Sequence, residues 1–214
     1  MNIGIIGAGS VGGTLGRILA SKGHTITFGV RNPQSEKVRS LLESIPANAS
    51  AVGIQAAAAA SEVVLLATPW EGTQEAIANA GDLSGKVLID CTNPVIMGME
   101  GLAQGLLIGH TTSGAEEVAQ WAKGAKVVKA FNTMGYVIYD NPTFGNHLAT
   151  AFICGDDADA KAVTTAIAQD VGLEVVDAGG LTTARLLEPA GMLWIHLALF
   201  QQMGVNIAIN LVKR

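Results

Sequence analysis

The segment "NIGIIGAGSVGGTLG", residues 2–16, constrains the fold more than any other stretch of this 214-residue chain. An apolar run of strand character ends at Gly7. Gly7, Gly9 and Gly12 then follow in the spacing G-x-G-x-x-G, at the opening of a helical segment expected from about Ser10 to Lys22. Each glycine has its own task. Gly7 permits a tight turn out of the strand, Gly9 lets the backbone come close to a pyrophosphate, and Gly12 lets the helix pack on the strand. The start of the helix, at Ser10, Val11 and Gly12, offers unpaired N–H groups and a positive dipole end to phosphates. A second strand, "TITFGV" at 25–30, follows at the right distance, which is the context the motif requires. The segment therefore reads as the first βαβ unit of a dinucleotide-binding sheet.

The end of that second strand bears on which dinucleotide. Units of this kind usually place a carboxylate there, to accept bonds from a free ribose 2′-hydroxyl. This chain has Gly29, Val30 and Arg31 instead. The first two leave room, and the guanidinium gives charge-assisted bonds to a 2′-phosphate. Such bonds contribute about 1.5–3 kcal/mol each, so one good contact favours NADP over NAD by roughly ten- to a hundredfold. Lys37, one turn into the next helix, adds a second cation. That helix is expected to open at Pro33, whose ring suits a first turn, and to run to about Ser44.

Strand-like and helix-like stretches alternate through the rest of the chain. A weak strand at Ala51–Ile54 precedes the helix-forming run "QAAAAAS". "EVVLLATP" (62–69), "KVLIDCTNP" (86–94), "AKVVKAFNT" (125–133), "ATAFICGD" (149–156) and "LEVVDAG" (173–179) follow as strands, with a helix expected near Glu71–Ala80. Apolar runs without clean alternation, separated by helices, indicate a parallel sheet covered on both faces. The expected fold is α/β, a doubly wound, mostly parallel Rossmann-type sheet with a C-terminal helical segment. Residues 1–180 are expected to form the NADP-binding domain and 181–214 a helical extension packed on it.

That extension is expected to be helical from about Thr182 to Lys213. Between Pro189 and Val212 it has no Asp, Glu, Lys or Arg, a length that could cross a bilayer. His196, Gln201, Gln202, Asn206 and Asn210 interrupt it, and Gln202, Asn206 and Asn210 recur at i, i+4 and i+8. A buried helix with one polar stripe is the better expectation, because polar groups are costly in lipid. Its apolar breadth exceeds what one face of a small domain buries, so a homodimer is expected.

Composition narrows the function classes. A net charge of −5 argues against nucleic acid, whose phosphate backbone needs a basic stripe. Cys91 and Cys154 each sit beside an apolar run and read as small buried hydrophobes, and no metal-ligand spacing occurs among the four histidines. The N-terminus carries no basic leader or cleavage-type segment, so a cytoplasmic chain is expected.

Taken together, "GVRNP", "LLATPW", "LIDCTNP", "SGAEEVAQW", "VVKAFNT", "ICGDD", "VDAGGL" and "ARLLEP" resemble the NADPH-dependent F420 reductase family. The same series is similar to the cytoplasmic NADPH–flavin reductase domain of the STEAP metalloreductases. The resemblance runs in order from Ile3 to about Ile195. It implies that NADP(H) and a flat flavin-like acceptor, F420 or a flavin such as FMN or FAD, stack face to face for hydride transfer. It also implies that a Ser/Thr-Arg pair holds the 2′-phosphate. Arg31 matches that pair, and Val30 stands where the hydroxyl residue is usual. The loops after the fourth, fifth and sixth strands are implied to surround the nicotinamide. Here those are Ala67, Thr68 and Pro69, then Thr92, Asn93 and Pro94, then Ala130, Phe131 and Asn132. Ligands of open α/β sheets lie beyond the carboxyl ends of the strands, which agrees with that location.

Hydride transfer of this kind needs little acid–base help, because the cofactors carry the electronics. No nucleophile motif or paired carboxylates stand out, and no general base is assigned. His110 reads as a solvated loop histidine, and Trp70 either covers a ring or packs against the fold. Two other classes share the N-terminal fingerprint. One is a dehydrogenase or reductase of a small carbonyl or imine, which usually adds a large helical domain. Only residues 180–214 follow the last strand here. The other is a non-catalytic NADP(H)-binding redox sensor.

Overall fold

The computed structural model describes residues 1–45, 48–98 and 103–213. In chain order the strands are β1 (Asn2–Ile6), β2 (Thr25–Gly29), β3 (Ala49–Val52), β4 (Val63–Leu66), β5 (Val87–Asp90), β6 (Val95–Met97) and β7 (Ala103–Leu106), then β8 (Lys126–Lys129), β9 (Thr143–Phe144), β10 (His147–Leu148), β11 (Thr150–Gly155) and β12 (Glu174–Asp177). The helices are α1 (Ser10–Ser21), α2 (Glu36–Glu43), α3 (Ile54–Ala59), α4 (Thr73–Ala80), α5 (Gly114–Trp121), α6 (Val137–Asp140), α7 (Ala158–Val171) and α8 (Ala184–Ile195). Eight strands form one sheet in the order β12-β11-β8-β5-β4-β1-β2-β3. From β3 to β8 all pairings are parallel. The strand order reverses between β1 and β4, the switch point at which such sheets bind ligands. Beyond β8 the sheet changes direction: β11 is antiparallel to β8, and β12 runs parallel to β11.

The two faces of β4 show how the core is divided. Val63 and Leu65 belong to the cluster that holds Ile3, Leu15 and Phe28, while Val64 and Leu66 belong to the one that holds Ile77, Leu88 and Val118. Alternate residues of a strand point to opposite faces, so an unbroken apolar run fits a sheet covered on both sides. Each such side chain contributes about 1.5–3 kcal/mol when fully buried. α1 and α7 cover the first face, and α3, α4 and α5 cover the second. The alanine run forms α3, whose Ala57 and Ala58 are fully buried.

Two expectations change. The helix after β2 opens at Glu36 with Ser35 at its N-cap. Asn32 Oδ1 accepts from the N–H of Gln34 (3.1 Å), so Pro33 lies in the turn before the helix. The helical stretch expected to reach Lys213 ends much earlier. α8 continues through one wide turn, His196–Phe200, and residues 201–213 form no helix. Gln202 and Gly204 take left-handed φ values of 54° and 79°. The N–H groups of Met203 and Gly204 reach back to Leu197 O (3.2 Å) and Ala198 O (3.1 Å), closing the helix end.

The chain then folds back over the domain. Trp194 Nε1 donates to Ile207 O (2.6 Å), Thr150 Oγ1 to Asn210 Oδ1 (2.7 Å), and Leu211 N to Thr150 Oγ1 (3.2 Å). The polar stripe of Gln202, Asn206 and Asn210 therefore does not exist. Among the described residues, no helix is long and apolar enough to cross a membrane.

Candidate nucleotide site at the strand ends

A cleft of about 670 Å³ opens at the carboxyl ends of β1, β2 and β4. Its floor is the turn from β1 into α1. Gly7 has φ +107°, and a Cβ there would lie 2.5 Å from Ala67 O. A Cβ on Gly12 would lie 2.1 Å from Gly7 O and 3.0 Å from Ile5 Cγ2, so this residue is what lets α1 close on β1. Gly9 differs from both. It is the N-cap of α1, and a Cβ there would meet nothing within 4 Å. No side chain caps α1, and its first turn carries no acidic residue. The first N–H groups of a helix have no intrahelical partner and carry roughly half a positive charge.

The walls come from later elements. Arg31, Asn32, Ser35 and Lys37 line one side, and Ala67, Thr68, Pro69, Glu71 and Glu75 line another. Among the described residues neither Arg31 nor Lys37 forms an ion pair. Thr73 Oγ1 holds the Thr68–Pro69 loop, at 2.9 Å from Thr68 Oγ1 and donating to Pro69 O (3.0 Å). Gly7, Gly9, Arg31, Lys37, Ala67, Thr68 and Pro69 thus share one cleft. Ser10, Val11 and Gly12 form the adjoining first turn of α1.

Thr92, Asn93, Pro94, Ala130, Phe131 and Asn132 do not line that cleft; they gather at the ends of β5 and β8. Asn93 Nδ2 donates to Asn132 O (2.8 Å), while Asn132 Nδ2 donates to Asn93 Oδ1 and Leu187 O (both 3.0 Å). Among the described residues Asn132 Oδ1 is buried without a partner. Ala130 and Phe131 turn their side chains into the core. Phe131 takes φ 62°, a strained value for a bulky residue. Its ring lies edge-on to Tyr139 (5.9 Å), whose hydroxyl donates to Phe131 O (2.7 Å) and holds the turn. Trp70 packs against Trp121 (5.3 Å) and Gly114. His110 is exposed in its loop.

Beneath these loops lies a group that the sequence reading missed. Lys129 Nζ sits 2.9 Å from Asp90 Oδ2, 2.9 Å from Glu188 Oε1 and 2.6 Å from Thr92 O. All three ionic side chains are at most 1% exposed. Asp90 Oδ1 also accepts from Thr92 N (2.9 Å) and Thr92 Oγ1 (2.7 Å). Glu188 accepts from the N–H groups of Gly114 (2.8 Å) and Ala115 (3.0 Å) at the start of α5. Burial opposes the charge on Lys129, but the two carboxylates outweigh it and hold the ammonium pKa above its ordinary value. A signal was present: Asp90 ends an otherwise apolar strand and Lys129 follows the buried Val127 and Val128 at the end of another, and a charge so placed needs a partner. Burial pushes the Cys154 thiol up to about 12, and burial with Asp90 beside it raises Cys91 further, so neither is a nucleophile at neutral pH.

A doubly wound sheet with a glycine turn and a cleft at its switch point defines a Rossmann-type dinucleotide-binding protein. Known proteins narrow this. A family model described as "NADP oxidoreductase coenzyme F420-dependent" matches residues 2–94. The chain is 30% identical to the F420-dependent NADP reductase of Methanocaldococcus jannaschii over 224 residues, 98% of each chain. It is 29% identical to the metalloreductase STEAP3 of Rattus norvegicus over 187 residues, 87% of this chain but only 35% of that protein. A solved structure from Arthrobacter sp. FB24, described provisionally as an F420-dependent NADP-reductase, is 30% identical, covers 100% of both chains and superposes with a TM-score of 0.89. The chain belongs to the F420-dependent family of NADP oxidoreductases.

Proposed function

We propose that this protein binds NADP(H) across the cleft and exchanges a hydride between its nicotinamide and a flat flavin-like acceptor, F420 or a flavin. One observation carries the proposal: a single cleft joins the open side of Gly9, at the uncapped start of α1, to the cations Arg31 and Lys37. The residues present fit the cofactor. Gly9 leaves room for a pyrophosphate, and the N–H groups of Ser10, Val11 and Gly12 face its charge. Arg31 and Lys37 neutralise a 2′-phosphate. When bound, the nicotinamide supplies the two-electron chemistry.

The protein's part is to hold and to exclude. The nicotinamide end lies over Ala67–Pro69, Thr92–Pro94 and Ala130–Asn132, where the Asn93–Asn132 pair and the buried ions tie the strand ends together. A fixed stacking distance without water is what such a transfer needs from the protein. Residues 1–180 serve as the nucleotide-binding unit and 181–214 as the extension packed on it, in a cytoplasmic setting. The extension also pairs two chains. Leu186, Leu193 and Phe200 recur at intervals of seven along α8 and the turn after it, with exposures of 70%, 52% and 40%. Burying that stripe against a second copy accounts for its exposure.

Mixing the protein and NADPH with F420, FMN, FAD and small carbonyl compounds tests the proposal by loss of NADPH absorbance. Rapid oxidation by a deazaflavin or flavin is expected. Oxidation only by a carbonyl compound, or by none of them, would overturn it. Leu193→Asp is expected to halve the mass seen by sedimentation, and a wild-type monomer would refute the pairing.

A further inference from the structure

We propose that the buried Asp90–Lys129–Glu188 triad sets the redox poise of the bound nicotinamide, holding the oxidised, positively charged ring more tightly than the neutral, reduced one. The inference rests on the reading of the cleft as an NADP(H) site and adds a role for residues outside that cleft.

The surroundings of the two carboxyls are rich in donors. Asp90 faces the N–H and hydroxyl of Thr92 and the ammonium of Lys129. Glu188 faces the N–H groups of Gly114 and Ala115 and the same ammonium. Backbone N–H groups and the ammonium can only donate, and the Thr92 hydroxyl donates to the Asp90 oxygen that its own N–H also reaches, a set that suits two carboxylate acceptors. Two negative charges meet one positive charge where exposure is at most 1%. The N-terminus of α5, which ends on Glu188, offsets roughly half a charge. A net negative charge remains, out of reach of water.

Its position makes it matter. Asp90 and Lys129 end β5 and β8, and Lys129 donates to the carbonyl of Thr92, the first residue of the loop placed against the nicotinamide. The nicotinamide of NADP carries one more positive charge oxidised than reduced, and the remainder of the cofactor is the same in both. A negative charge at that end of the cofactor would favour the oxidised form and so make bound NADPH the stronger reductant. At an effective dielectric of about 20, a unit charge within about 10 Å of the ring would change relative affinity about tenfold. Arg31 and Lys37 act at the adenosine end and weigh on both forms equally. A triad that only braced the fold would, when damaged, weaken both forms together.

The test is therefore a ratio. Wild-type protein, Glu188→Gln and Asp90→Asn are each titrated with NADP⁺ and with NADPH, following protein fluorescence. The wild type is expected to bind NADP⁺ several-fold more tightly. Each variant is expected to shift the ratio about tenfold toward NADPH, whatever happens to the absolute affinities. Glu116→Gln removes a carboxylate that pairs with Arg185 at the nearby surface and is expected to leave the ratio unchanged. An unmoved ratio in folded variants, or a wild type that prefers NADPH, overturns the proposal. If neither variant folds, the wild-type preference decides alone. Failure of the wild type to bind either nucleotide removes the reading of the cleft as well, whereas binding with an unmoved ratio removes only the role of the triad.

Discussion

Gly9→Ala and Gly12→Ala add the same methyl group three residues apart, and they are expected to fail in opposite ways. At Gly9 the backbone is extended (φ −83°, ψ −166°), and the new Cβ would meet nothing within 4 Å. Alanine is a poorer N-cap than glycine by about 1 kcal/mol or less, and the stiffer unfolded chain returns about 0.4–1 kcal/mol. The melting temperature is then expected to stay within about 2–4 °C of wild type. The methyl nevertheless fills the space along which a pyrophosphate reaches the helix start, so NADPH affinity is expected to fall tenfold or more, over 1.4 kcal/mol. At Gly12 the methyl would sit 2.1 Å from the carbonyl oxygen of Gly7, which is backbone and has no rotamer to yield. Overpacking of this kind costs about 1–3 kcal/mol, or about 3–10 °C in a chain of this length. Thermal melts by circular dichroism and titrations with NADPH separate the two effects. Wild-type affinity in Gly9→Ala would refute the placement of the pyrophosphate, and wild-type melting in Gly12→Ala would refute the contact.

Two further outcomes follow from the loops and helix ends. Tyr139→Phe leaves the buried carbonyl of Phe131 without its donor at a left-handed residue. A loss of about 1–3 kcal/mol is expected, and an unchanged melting temperature would contradict the clamp. The Arg185 guanidinium, followed by the Ser113 hydroxyl, holds Glu116 below its ordinary carboxyl value of 4.5. The pairing therefore stabilises the fold above that value and is lost as pH falls through the still lower folded one. Arg185→Met is expected to lie below wild type by about 1 kcal/mol or less at neutral pH, with the two melting curves converging in acid. A gap that persists in acid would contradict the assignment.

The parts that sequence made legible are those where a local pattern has one physical solution. Gly12 in its spacing demanded close packing, and Val63–Leu66, apolar at every position, demanded a strand covered twice. Arg31 stood out because it replaced an expected carboxylate. Other parts have no local signature. The hairpins β6–β7 and β9–β10 are two to four residues a strand, too short for an alternation to show. Residues 201–213 carry a stripe that suits a helix, while the left-handed turns at Gln202 and Gly204 and the remote partners Trp194 and Thr150 hold the segment on another path. The Asp90–Lys129–Glu188 triad draws on residues far apart in the chain: two resemble charges at the ends of strands and the third a charge within a helix. Asn93 and Asn132 were marked by the loops they occupy, while their mutual bonds depend on how β5 and β8 align.

The claim on which the rest depends is that Arg31 recognises the group distinguishing NADP from NAD. Affinities of wild type and Arg31→Ala for NADPH and NADH, measured by fluorescence titration at one ionic strength, address it without any acceptor. The expected result is a loss of about ten- to a hundredfold for NADPH, with NADH changed by about threefold or less. Equal losses for both nucleotides, or a wild type that binds NADH as firmly as NADPH, would contradict it.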